Sequence, residues 1–152
     1  MEVEQVYVDQ FSVSGLKVRT RNNAEQTAET AKIGPMWGRF FSEGLIDRIA
    51  PQQPASPAYG VYSGYESDAS GEFDVTAGMA VQTPAPDYET IRIEHGQYLV
   101  FAGKGPMPDA VIGAWQQIWG YFEANPQIKR RFATDFEAYT APETVAVYIG
   151  IA

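Results

Sequence analysis

The order of patterned segments in this chain predicts an α+β domain built from duplicated βαββ halves related by a pseudo-twofold, with antiparallel sheets and helices flanking a central cleft. Three observations lead there. Strand, helix, strand, strand is read twice along the chain. Gly15 and Gly96 fall at like places in the two opening strands, and Ile33-Gly34 and Ile112-Gly113 at like places in the two helices, both pairs about 80 residues apart. A length of 152 residues with 45% apolar content suits one domain with its own core. Residues 1–152 are therefore expected to form a single domain, with half 1 at about 1–83 and half 2 at about 87–152.

In the first half, residues 3–20 (VEQVYVDQFSVSGLKVRT) alternate loosely and are rich in β-branched side chains, so they read as strand, with Gly15 marking a bulge or bend. Asn22 or Asn23 can cap a helix that carries Glu25 and Gln26 in its first turn. Apolar residues then recur at Ile33, Met36/Trp37, Phe40/Phe41 and Leu45, close to helical spacing. Gly34-Pro35 is expected to break this segment into a short piece and a main helix begun by Pro35. The loop PQQPASP (residues 51–57) leads to AYGVYSGYE and EFDVTAGMAVQ, two strands joined by the polar turn SDASG, which is a β-hairpin signal.

After a break at TPAPD the order repeats. YETIRIEHGQYLVFAGKG reads as strand with Gly96 in its interior. PDAVIGAWQQIWGYFEANP reads as helix, with Pro108 and Asp109 at its start and Asn125-Pro126 at its end. RRFATDFEAYT and TVAVYIGIA close the chain as two strands joined by APE. If the halves are related by a twofold, the cleft between them is lined by equivalent elements of each, and ligands favour such clefts.

Composition removes several function classes. The net charge of -8 disfavours nucleic acid, which needs a concentrated positive surface. Lys129-Arg130-Arg131 is read as a solvated helix-to-strand connection. There are no cysteines, which excludes disulfides, thiolate chemistry and Cys-based zinc sites. The start MEVEQVYVDQ is acidic without an apolar signal core, and no run approaches a membrane span, so a cytoplasmic protein without a membrane partner is expected. His95 is the only histidine, and neither a G-x-S-x-G elbow nor a phosphate loop is present. ESDASGEFD fails as a calcium loop because Ala77 stands where an acid is required. No cofactor or metal is expected.

The aromatic content is unusual: nine Tyr, eight Phe and three Trp, or 13% of the chain, which suits either a ring-rich core or a site for flat apolar ligands. Glu137 lies among these rings, between Phe136 and Tyr139. Strand alternation puts Asp135, Glu137 and Tyr139 on one face and Phe132, Thr134, Phe136 and Ala138 on the other. If the Phe face packs the core, Glu137 is simply wet. On the second helix Trp115 and Trp119 share a face with Ile112 and Phe122, and Trp37 is the ring of the first-half helix. Either core packing or a ligand wall accounts for these tryptophans. Of Tyr59, Tyr62 and Tyr65, Tyr62 lies on the other alternation and is the one expected in the cleft.

Three segments carry a family likeness: AWQQIW in the second helix (residues 114–119), the following DFEAY (135–139) and the terminal VAVYIGI (145–151). With the element order, they resemble the GyrI-like small-molecule-binding superfamily, which includes the AraC-type effector-binding domain and the ligand-binding domain of multidrug-responsive transcription regulators. The resemblance implies the duplicated βαββ fold. It also implies that Glu137, in the pattern Phe-Glu-x-Tyr, is a buried acid that compensates lipophilic cations between aromatic walls, and that Tyr148 is a pocket tyrosine. Some members carry a second acid two residues before that tyrosine; Ala146 stands there in this chain, which argues against dicationic ligands. The DNA-binding part of many relatives is missing, so a stand-alone binding domain is expected.

The leading expectation is a non-enzymatic protein that binds a small, lipophilic, cationic aromatic compound through Glu137, Trp115, Tyr148, Tyr139, Trp37, Tyr62 and Trp119. Two alternatives stay open. One is a hydrolase of reactive electrophilic compounds in which the same glutamate activates water. The other is a protein that binds a partner, as gyrase-inhibiting relatives do, or a second copy of itself.

Overall fold

The computed structural model describes residues 3–49, 57–67 and 71–152. Eight strands and four helices follow in the order β1 (Glu4–Val8), β2 (Phe11–Thr20), α1 (Asn22–Glu25), α2 (Ile33–Ser42), α3 (Leu45–Ile49), β3 (Ala58–Ser63), β4 (Phe73–Val81), β5 (Glu89–Ile93), β6 (Gly96–Lys104), α4 (Asp109–Ala124), β7 (Arg130–Ala141) and β8 (Thr144–Ile151). Most of the loop expected at 51–57, and residues 68–70 of the SDASG turn, lie outside the described residues.

All pairings are antiparallel, and the strands form one continuous sheet in the order β1-β6-β8-β7-β3-β4-β2-β5 rather than two sheets side by side. Read from either end, the order visits equivalent strands, so the duplication is written into the topology, with β3 and β7 at the centre. Each expected opening strand is in fact two. β1 leaves its own half to pair with β6, and β5 pairs back on β2. Gly96 therefore opens β6, whereas Gly15 lies in the middle of β2, and the two glycines are not structurally equivalent.

This exchange forces the sheet to curl. β5 and β6 stand six places apart, about 29 Å in a flat sheet at about 4.8 Å per strand. The Cα trace from Ile93 to Gly96 spans at most about 11 Å. The two ends of the sheet must approach each other, and the Tyr98 hydroxyl donates to the Glu94 carbonyl at 2.6 Å where they do. The inner face is filled by Val13, Val61, Ile93, Tyr98 and Phe136, with Phe11, Tyr59 and Tyr148 against them, and these come from both ends of the sheet.

Helices cover the outer face. α2 and α3 bury Met36, Phe40 and Leu45 on Val75, Ala77 and Met79 of β4. α4 buries Ala114 and Ile118 on Leu99 and Phe101 of β6 and on Val145, Val147 and Ile149 of β8. α4 has the expected bounds, and its Ile112 is exposed rather than facing the sheet with Trp115. In the first half, the break precedes the predicted one. α2 already begins at Ile33 and Pro35 sits within its first turn, where the ring costs no intrahelical hydrogen bond. Arg21, and neither asparagine, occupies the N-cap of α1. The helices of the two halves thus flank the central β3–β7 pair on the same face.

Candidate functional site

Register places Gly60 opposite Glu137 and Tyr62 opposite Asp135 on that central pair. Glu137 is on the helix-covered face and is 3% exposed. Its carboxylate is caged by neutral donors. Oε2 accepts from the Trp115 indole Nε1 at 2.7 Å and from the Tyr62 hydroxyl at 2.8 Å, and Oε1 accepts from the Tyr139 hydroxyl at 2.8 Å. Among the described residues no Lys or Arg is paired with it. Gly60 makes room for the acid: a Cβ there would come within 2.7 Å of Oε1 and 3.2 Å of the Trp37 ring.

Rings complete the enclosure from both halves. From α2, Trp37 meets Tyr139 edge-on at 5.2 Å between centroids and stacks near Phe41, which is 64% exposed. From α4, Trp115 lies 5.0 Å from Tyr62 and 6.2 Å from Trp119, itself 45% exposed. An aromatic path therefore runs from the surface to the acid on either side.

Burial pushes the Glu137 carboxyl above its ordinary range, because desolvation penalises the anion; hydrogen bonds from Trp115, Tyr139 and Tyr62 oppose that rise. Burial, and then the adjacent carboxylate, push the Tyr62 and Tyr139 hydroxyls well above theirs. The tyrosines stay protonated and donate, so the carboxyl is the titrating group of the cage.

Six of the seven sequence-predicted residues converge: Glu137, Trp115, Tyr139, Tyr62 and Trp37 around the acid, and Trp119 at its outer edge. Tyr148 does not join them. It pairs with Phe136 across β7 and β8 and stacks on that ring at 4.4 Å on the inner face of the sheet. Strand alternation is the physical reason, since Val147 and not Tyr148 lies opposite Glu137.

In the basic run Lys129 is exposed as expected, but Arg130 and Arg131 are not solvated. The Arg130 side chain is 8% exposed and its Nη2 donates to Asp135 Oδ2 at 2.9 Å. Asp135 is fully buried and accepts the Tyr65 hydroxyl and the Gly150 amide at 2.8 Å as well. The Arg131 guanidinium lies 5.0 Å from the centroid of the Tyr98 ring. Tyr65 reaches the helix-covered face, where it packs on Phe73, because Gly64 at φ +59° ends the strand alternation. Sequence reasoning missed Gly60, Asp135, Arg130 and Tyr65. Two signals could have found them: an acid two residues from Glu137 on the same strand face, and a glycine at the centre of the partner strand.

Two spaces adjoin these elements. A small cavity of about 30 Å³ is lined by Asn22, Tyr62, Tyr65, Phe73, Trp115, Trp119 and Arg130, directly beside the cage. An open groove of about 650 Å³ lies along the outer flank of α2 over Leu16, Val18, Met36 and Tyr88, and none of the predicted site residues lines it. Among the described residues no group of three or more histidines or acids is placed to hold a metal ion. No described helix is long and apolar enough to cross a membrane.

Residues 4–151 match the model of a family described as integron-associated effector-binding proteins. An integron cassette protein from the mobile metagenome of Vibrio cholerae shares the fold at a TM-score of 0.85 and 34% identity, over 99% of this chain and 95% of that one. SAV2435, solved bound to tetraphenylphosphonium, is similar at a TM-score of 0.79 and 20% identity, over 100% of this chain and 94% of that one. The C-terminal domain of EcmrR follows at 0.58 and 9% identity, over 99% and 97%. The last two likenesses concern the fold alone. No curated protein is detectably similar in sequence.

Proposed function

The chain belongs to the integron-associated effector-binding protein family, with a GyrI-like fold, and from that premise we propose that it binds lipophilic, cationic aromatic compounds at Glu137, between α2 and α4. One observation carries the reading: a carboxylate 3% exposed whose three partners are all neutral donors. A buried charge is costly unless an opposite charge answers it, and the described side chains supply none. A cation enclosed by rings answers it and adds about 0.5–2 kcal/mol for each good cation–π contact with Trp37, Trp115, Tyr62 or Tyr139. Because the cage is closed, binding requires the α2 and α4 rings to part.

That SAV2435 accommodates tetraphenylphosphonium within the same fold makes this cation the probe of choice. Titration should quench tryptophan fluorescence, since two of the three tryptophans touch the cage. Glu137→Gln should weaken the cation at least tenfold while a neutral aromatic of similar size, triphenylphosphine oxide, is little changed. Equal binding of the cation by wild type and variant would remove the electrostatic basis of the proposal.

The raised affinity of the Glu137 carboxyl for protons is also what a general base needs, which supports water activation as a second reading. Oε2 already accepts two hydrogen bonds and Oε1 one, so the lone pair left on Oε1 is where a water would be activated. Turnover of an aromatic epoxide by wild type, lost in Glu137→Gln with binding retained, distinguishes it from sequestration.

A further inference from the structure

Beside the cage lies a polar group that Glu137 does not use. Arg130 lines the small cavity together with Tyr62 and Trp115, two of the three donors to Glu137. Its side chain is more than nine-tenths buried and is engaged by Asp135 through Nη2 and by the neighbouring Tyr65 hydroxyl, yet its Nε is buried with no partner among the described residues. Asp135 does not require all of that guanidinium, because the Tyr65 hydroxyl and the Gly150 amide already donate to it. A guanidinium carries five N–H donors, and leaving one idle in the interior is unfavourable. The guanidinium is also fixed in place, lying 4.4 Å over the Phe132 ring.

The spacing of the two poles follows from the strand. Glu137 and Asp135 are two apart on one face of β7, about 7 Å along the chain, and Arg130 lies on the far side of Asp135 from Glu137 in this ladder. Arg130 and two of the donors to Glu137, Tyr62 and Trp115, share a cavity of about 30 Å³, room for one water-sized polar group.

We propose that this cavity is an acceptor subsite of the ligand site, where Arg130 receives a carboxylate oxygen, so that the favoured ligands are amphoteric aromatics bearing a cation and a carboxylate about 7–10 Å apart. The proposal rests on the assignment of Glu137 as the cation site. It selects among cations: a ligand with a positive charge alone leaves the Arg130 Nε without an acceptor. Without such a subsite, adding a carboxylate to a cationic ligand costs desolvation and meets a chain of net charge -8.

Rhodamine 123 and rhodamine 110 separate the cases, because they share one cationic ring system and differ only in carrying a methyl ester or a free carboxylate. Fluorescence anisotropy of the wild-type protein should show rhodamine 110 bound within threefold of rhodamine 123, or more tightly. In the double variant Arg130→Gln/Asp135→Asn, which removes both buried charges together, rhodamine 110 should weaken at least tenfold and rhodamine 123 less than threefold. Wild-type binding of rhodamine 110 more than threefold weaker than rhodamine 123 overturns the subsite while leaving the Glu137 assignment intact, as does equal weakening of both dyes in the variant. Failure of both dyes to bind overturns the Glu137 assignment and the subsite with it. If the double variant does not fold, the wild-type ratio decides alone.

Discussion

Replacing Glu137 by glutamine and by leucine should have very unequal consequences for the stability of the free protein. Leucine has similar bulk but leaves the Trp115 indole N–H and the Tyr62 and Tyr139 hydroxyls without their acceptor. A buried unsatisfied donor costs about 1–3 kcal/mol. Tyr139 is only partly buried and recovers some of this from water, so a total loss of about 3–5 kcal/mol is expected. Glutamine keeps the shape and one carbonyl oxygen. With that oxygen at the Oε2 position, Trp115 and Tyr62 still donate, and the new amide donates to Tyr139, whose hydroxyl also accepts. The variant gives up a buried charge and at most one hydrogen bond, so at pH 7 its stability should lie within about 1 kcal/mol of wild type or above it.

The pH dependence gives the same reasoning a sign. Folding raises the Glu137 pKa through burial, so just above the unfolded-state pKa the folded protein holds a proton that the unfolded chain has lost. This contribution is fully present below the unfolded value and is lost as pH rises to the folded value. Wild type minus Glu137→Gln stability, from urea unfolding at pH 4, 5, 6 and 7, should therefore fall with pH and then level off. A glutamine variant more than about 2 kcal/mol less stable than wild type at pH 7 would mean that the charge is answered inside the free protein, and would refute the account of the site as an acid awaiting a cation.

Other substitutions test the surrounding parts. Gly60→Ala should displace the carboxylate or Trp37, since its Cβ would stand 2.7 Å from Oε1 and 3.2 Å from the indole; about 1–3 kcal/mol of destabilisation and at least tenfold weaker cation binding are expected by thermal unfolding and fluorescence titration. Trp115→Phe keeps a ring and removes one donor to a charged group, so about 1.5–3 kcal/mol is expected, with the loss largest above the folded pKa of Glu137, where the carboxylate is ionised. Tyr148→Phe should leave cation affinity within twofold, because that ring stacks on Phe136 behind the sheet; a tenfold loss would mean that the inner face takes part in binding. Cation binding itself should strengthen as pH rises through the folded pKa of Glu137, with proton release measurable by calorimetry in buffers of different ionisation enthalpy.

Local pattern carried most of the elements. α4 was legible because proline and aspartate open it, asparagine and proline close it, and its apolar spacing is regular. The β3–β4 and β7–β8 pairs were legible because alternation and turn residues lie next to each other in sequence. What sequence hid is long-range. Nothing in residues 3–20 says that β1 will pair with β6, about ninety positions away, since two stretches of one strand pattern look alike whichever partner they take. The burial of Arg130 was hidden for a local reason: its partner Asp135 is five residues on, across a register shift in the β7–β8 ladder, where fixed-period reading fails.

The register of the central β3–β7 pair bears on why the acid is single. The strand order is symmetric about the β3–β7 pair, and both halves bring a tryptophan-bearing helix over it. A strictly symmetric duplication would set like residues across that pair, and two carboxylates about 4.5–5.5 Å apart would force one of them to stay protonated. The chain instead places Gly60 opposite Glu137 and lets the glutamate take the space of both positions. The first half then contributes Tyr62 as a donor and Trp37 as a wall where the second contributes the charge. Duplication accounts for the paired helices and the central strands, but the cage around Glu137 exists because the symmetry is broken at one register pair. The breaking residue is the glycine, which lets a single buried acid take donors from both halves.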